Sequence, residues 1–167
     1  YQPSRGLGDV YKRQSPNSGL IELDEQPPLP HDLDALDISL TVSGMINAHP
    51  VPLLQTMRKT VVDGSNTSGF QRTTLVATDG VLQTEGGPVG IDVLCLEEDS
   101  ARKLDSKLTP DGEIVTWNLD RLGIPLIEIA TAPDVKSPDH AKQTSIALGR
   151  TLRDLSLIHI SEPTRRL

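Results

Sequence analysis

Short strand-like runs separated by turn residues fill the middle of this sequence, and helix signals stand only on either side of them. After the proline-broken approach DEQPPLPH at 24–31, Asp32 reads as the N-cap of a helix reaching about Asn47, with Leu33, Leu36, Leu40 and Gly44 on or near one face. Pro50 and Pro52 end it, and Leu53–Val62 reads as a strand leading into the turn-rich DGSNTSG of Asp63–Gly69. Phe70–Ala77 is the next strand, and Asp79–Gly80 reads as a hairpin turn before Val81–Thr84. Val89–Leu96, Glu113–Leu119 and Leu126–Ala130 follow as strands. Ser137-Pro138-Asp139 then opens a closing helix to about Arg153, with proline at its first position and an acid in its first turn. Two helices around five or more strands, often in hairpin order, predict an α+β fold rather than a parallel βαβ one.

The two ends read differently from this middle. Ser4–Gln14 (SRGLGDVYKRQ) and Leu155–Arg165 (LSLIHISEPTR) can be encoded by the two strands of a single DNA, one that resembles a transposase adapter used to prepare sequencing libraries. On this reading 1–14 and 155–167 derive from adapter and 15–154 is the biological segment. Residues 1–14 carry a net +2 and 155–167 a net +1, so the −7 of the whole sequence becomes −10 for the segment between them. So acidic a segment lacks the basic footprint of a main nucleic-acid grip. Its only aromatic residues are Phe70 and Trp117, too few for a base-stacking platform. The single cysteine, Cys95, excludes an internal disulfide framework and a cysteine-cluster metal site, and points to a reducing, cytoplasmic setting. No apolar run approaches the roughly 20 residues that span a bilayer.

Walker-type phosphate loops, G-x-S-x-G elbows and H-E-x-x-H motifs are all absent. Three polar clusters remain, each beside apolar strands. Met57–Thr73 gathers Arg58, Lys59 and Arg72 around a loop containing Asp63, Ser65, Asn66, Thr67, Ser68 and Gly69. Such cations near backbone N–H groups can cradle phosphate or carboxylate; equally, this is an ordinary polar loop with solvated basic flanks. Cys95–Lys103 contains Glu97 and Glu98, which an extended strand points to opposite faces. In Arg121–Glu128, RLGIPLIE, Glu128 stands among Ile124, Leu126, Ile127 and Ile129, a setting that is costly for a carboxylate unless it is paired or holds a cation. Glu128 with Glu97 or Glu98 would make a hard oxygen site suited to Mg²⁺. The bland readings are a solvated strand end and a salt bridge from Glu128 to Arg121 or Arg102.

VDGSNTSGFQRT (Val62–Thr73), CLEED-ARK (Cys95–Lys103, with Ser100 interposed) and DRLGIPLIEIATAPD (Asp120–Asp134) together resemble the signature stretches of the GatB/GatE family, in that family's order and over most of 19–154. The DGSNTSGFQRT stretch is similar to the archaeal E type rather than the B type. The resemblance implies a partial catalytic cradle related in fold to glutamine synthetase, with a largely antiparallel or mixed sheet and flanking helices. It implies ATP- and Mg²⁺-dependent conversion of Glu-tRNA(Gln) to Gln-tRNA(Gln) through a γ-glutamyl phosphate, with ammonia from an asparaginase-like GatD-type partner subunit. By motif, Glu128 and one of Glu97 or Glu98 would bind metal, with Glu128 and Arg121 catalytic. Arg58, Lys59, Ser65–Gly69 and Arg72 would contact substrate or phosphate. The family's G-L-E-I-H stretch and its tRNA-gripping C-terminal domains are not in this sequence, so the activity is expected of a parent protein and not of this polypeptide alone. The alternatives are a non-catalytic acidic piece or a B-type subunit.

Overall fold

A computed structural model of the chain describes residues 30–155. In chain order these form α1 (Leu33–Met45), β1 (His49–Thr60), β2 (Phe70–Thr84), β3 (Gly87–Glu98), β4 (Arg102–Thr109), β5 (Gly112–Asn118), β6 (Pro125–Thr131) and α2 (Pro138–Asp154). The fold is α+β, as the alternation of turns and strands predicted. One sheet has the order β1-β2-β3-β6, and β4 and β5 form a separate two-stranded sheet. No helix among the described residues is long and apolar enough to cross a membrane.

Several features depart from the sequence reading. β1 starts at His49 and takes in both Pro50 and Pro52. It lies at the edge of its sheet, where a residue without an N–H costs no ladder bond. Asp79–Gly80 is not a hairpin turn: β2 runs through it to Thr84. Asp79 adopts a positive φ of 55°, and Val81 N–H turns aside to the Ile46 carbonyl at 2.8 Å. A Cβ on Gly80 would come within 3.0 Å of that same carbonyl and of the Ala48 methyl, so glycine here permits a close approach rather than a reversal. The reversal comes at 85–86, with Thr84 Oγ1 donating to the Gly87 carbonyl at 2.6 Å. The third departure is β4, which pairs antiparallel with β5 from Arg102↔Asn118 to Thr109↔Gly112, with an irregularity between Lys103 and Asp105.

The described residues divide into two compact units, one containing 30–32, Thr56–Thr74 and Glu97–Leu126, the other Leu33–Gln55, Leu75–Leu96 and 127–155. The second unit carries the aliphatic core. Val42, Ile46, Val76, Ala77, Leu82, Ile91, Leu94 and Leu96 are buried there, with Ala35, Leu36, Ile127, Ile129, Ala147, Leu148 and Leu152 packed on them. α2 has a well-defined start: Ser137 accepts from His140 N–H at 3.1 Å and proline occupies the first turn.

β6 corrects the expectation for Glu128. Ile127 and Ile129 pack on the core, and the intervening Glu128 lies on the other, exposed face of the strand. Its neighbours in sequence are aliphatic, but a strand sends successive side chains to opposite faces, so this carboxylate is not sunk among them.

Candidate functional site

In the first unit, the loop after β1 closes on itself. Val61 N–H donates to the Gly69 carbonyl at 2.9 Å, and Gly69 N–H to the Asn66 carbonyl at 2.9 Å. Gly64 and Gly69 both have positive φ, at 88° and 78°, which a side chain would strain. Asp63 Oδ1 accepts from both the Ser65 hydroxyl at 2.6 Å and the Ser65 N–H at 2.9 Å. Those two donors, the hydroxyl first, hold the Asp63 carboxyl below its ordinary range. Ser65 and Asn66 are buried, and the Thr67 hydroxyl is buried with no hydrogen-bond partner.

This loop is joined to the acidic end of β3. The Ser65 carbonyl accepts from Ala101 N–H at 2.8 Å, and Asn66 Oδ1 from the Ser100 hydroxyl at 2.8 Å. Gln71 Nε2 donates to the Glu98 carbonyl at 2.6 Å. The three acids at the end of β3 and just past it then take different partners. Glu97 is 4% exposed, and its Oε1 accepts from Lys59 Nζ at 2.6 Å and Thr73 Oγ1 at 2.9 Å. Glu98, more open, pairs with Arg72 Nε at 2.8 Å. Asp99 Oδ2 accepts from Arg121 Nε at 2.9 Å. The alternation expected of an extended strand is therefore seen in its partners: Glu97 is turned inward and Glu98 is more open.

Asn66, Ser68, Phe70, Glu98, Asp99, Leu122 and Gly123 line a pocket of about 160 Å³. The guanidinium of Arg58 stands 4.9 Å from the centroid of the Phe70 ring, a cation–π contact behind one wall. Of the residues the sequence nominates, the structure brings Asn66, Ser68 and Glu98 to this pocket, with Arg72 bonded to Glu98. Lys59 instead serves Glu97, and Arg121 serves Asp99. Asp99, Phe70, Leu122 and Gly123 escaped the sequence reading. Strand alternation gave no signal for Asp99, since it would send Asp99 to the side of Glu97; Asp99 reaches the pocket beside Glu98 because β3 ends at Glu98.

The pocket offers oxygen donors from two carboxylates, an amide and a hydroxyl, which suits Mg²⁺ and not a softer ion. Among the described residues no three His, Cys, Asp or Glu side chains stand close enough to hold a metal by themselves. An ion here would have one or two protein carboxylates and would need its remaining ligands from elsewhere, as is usual for Mg²⁺.

Comparison with known proteins places these features in one family. Residues 7–162 match the model of the GatB/GatE catalytic domain. The E-type subunit of the glutamyl-tRNA(Gln) amidotransferase of Methanocaldococcus jannaschii is 50% identical over 149 residues, 89% of this chain and 23% of the relative. Its counterpart in Methanosarcina acetivorans is 54% identical over 134 residues, 80% of this chain and 20% of the relative. That of Pyrococcus abyssi is 47% identical over 149 residues, again 89% and 23%. The chain thus spans about a quarter or less of the length of these relatives, and within that span it belongs to the GatB/GatE catalytic-domain family.

Proposed function

We propose that this chain is part of an archaeal-type amidotransferase subunit that converts Glu-tRNA(Gln) to Gln-tRNA(Gln), with ATP activating the glutamyl carboxylate as a γ-glutamyl phosphate. The observation that carries the reading is the sorting of the two adjacent glutamates. Glu97 is withdrawn into a bond with Lys59 and Thr73, while Glu98 lines an open pocket beside Arg72. A phosphate entering that pocket meets a cation and a hard carboxylate together, which is what binding a magnesium nucleotide requires.

The protein's own part is binding and orientation. Glu98, with the Asn66 amide beside it, would hold Mg²⁺, which supplies charge neutralisation for the phosphates. Arg72 fixes the Glu98 carboxylate and brings its positive charge to the phosphate oxygens. Asn66 and Ser68 supply polar contacts, and Phe70 and Leu122 limit water, which an acyl phosphate must be kept from. Glu128, exposed on β6, we also assign to metal binding, on the family resemblance of PLIEI. Ammonia comes from a GatD-type partner, and the tRNA is gripped mainly by regions outside this chain, in the cytoplasm.

The test is amidation of Glu-tRNA(Gln) by the full-length subunit carrying this sequence, assembled with its partner. Glu98→Gln should lower amidation about 100-fold or more and raise the Mg²⁺ requirement, while the partner still releases ammonia from glutamine. Glu128→Gln should do the same. Wild-type amidation by the Glu98 variant would overturn the assignment.

A further inference from the structure

We infer that Asp99 is the residue that sets the spacing of the pocket's two walls, acting through Arg121; this rests on the function proposed above. One wall is Asn66, Ser68 and Phe70, the other Leu122 and Gly123, and the chain from Glu98 to Ala101 runs between them. The two oxygens of Asp99 are divided between two tasks. Oδ2 accepts from Arg121 Nε at 2.9 Å, which ties down the turn between β5 and β6. Oδ1 accepts from Ser100 N–H at 2.8 Å, fixing the next peptide. The following contacts reach the opposite wall: the Ser100 hydroxyl to Asn66, and Ala101 N–H to the Ser65 carbonyl, both at 2.8 Å.

The Asp99 backbone reinforces the first task. Its N–H donates to the Ile124 carbonyl at 2.7 Å and its carbonyl accepts from Gly123 N–H at 2.9 Å. The turn so gripped is compact, with Leu122 N–H on the Leu119 carbonyl and Ile124 N–H on the Arg121 carbonyl. Gly123, at φ 86°, supplies the left-handed residue that brings the chain back. A single half-buried carboxylate therefore couples both walls. Arg121 commits its Nε to this clamp, and its role is to position the wall rather than to touch the transferred phosphate. Wall spacing matters because displacing reacting groups by about 1 Å can cost about 100-fold in rate.

The decisive experiment is a double-mutant cycle on amidation by the assembled enzyme, with Asp99→Asn, Arg121→Met and both together. Asparagine keeps the size of Asp99 and an oxygen for Ser100 N–H but gives up the charge-assisted bond. We expect each single variant to lose about 10-fold or more in kcat, and the double variant to be no worse than the poorer single. Arg121→Lys should recover part of the loss. Ammonia release by the partner should stay at the wild-type value, and the melting curve of the complex should show it still fully folded at the assay temperature. Unchanged kcat in Asp99→Asn, or losses that simply multiply in the double variant, would overturn the inference. Failure of the unmutated enzyme to amidate Glu-tRNA(Gln) would instead strike the proposed function, so the two failures are separable.

Discussion

The chain's two compact units are built by opposite chemistry, although β1, β2, β3 and β6 contribute residues to both. In one, aliphatic side chains from α1, β2, β3 and β6 bury against one another, with Val42, Ile46, Val76 and Leu94 fully covered. In the other, the chain is held by pairs of unlike polar groups: Lys59 with Glu97, Arg72 with Glu98, Arg121 with Asp99, Ser100 with Asn66. Aliphatic burial is non-directional and scales with area. Charge and amide pairs are weaker in net free energy but fix direction. The comparison teaches that stability and geometry are supplied by different residues, so they can be perturbed separately.

The strongest test of that separation removes volume from the aliphatic unit. Leu94 is wholly buried in its centre, and Leu94→Ala should cost about 2–5 kcal/mol, from lost transfer free energy plus the cavity left behind. Urea titration measures it, and the loss should be indifferent to salt. A loss below about 1 kcal/mol would show the site collapsing freely, contrary to a close-packed core.

A smaller effect is expected on the polar side. Lys59→Met removes the cation 2.6 Å from a carboxylate whose side chain is only 3% exposed, leaving Thr73 still bonded to it. Lys59 itself is 43% exposed, so the penalty falls short of that for a fully buried pair. We expect about 1–3 kcal/mol by the same titration, with Lys59→Met and Glu97→Gln together less costly than the sum of the two. Additivity would mean that the pair is not coupled and would blur the contrast between the units.

Much of this architecture is legible in the sequence, and the misses share a cause. α2 can be read because its signals are local: a serine cap, a proline and an acid within three residues. The role of Gly80 cannot, because the need for glycine there comes from Ile46 and Ala48, more than 30 residues away in the chain. The sequence misleads at Glu128 because its immediate neighbours, Ile127 and Ile129, face the other way in the strand and pack on the core, while Glu128 is exposed. The motifs supply the candidate residues of the site but not their pairing. That Lys59 meets Glu97 and Arg121 meets Asp99 depends on strand register and on a turn across 22 residues, and sequence periodicity carries neither.

The gentlest probe of the contrast is acid. The Ser65 hydroxyl and N–H hold the Asp63 carboxyl below its ordinary value of 3.8, because both donate to the charged form. A carboxyl whose folded-state pKa is depressed adds stability that is complete above its unfolded pKa and disappears as pH falls through the folded one. The loop at Asp63–Gly69 should therefore keep its closure at all pH values above about 4 and loosen only below the ordinary carboxylate range. Asp63 is exposed, so screening by water keeps the effect on global stability small and the change local. The Ser65 amide proton reports it directly: its chemical shift should titrate with a midpoint under 3.8, and Asp63→Asn should abolish that titration. Leu94 and its neighbours, which contribute no titratable group, should give no response over the same range. A Ser65 midpoint at or above 3.8 would mean that the hydroxyl does not favour the carboxylate, and that the loop's order comes from Gly64, Gly69 and the backbone bonds alone.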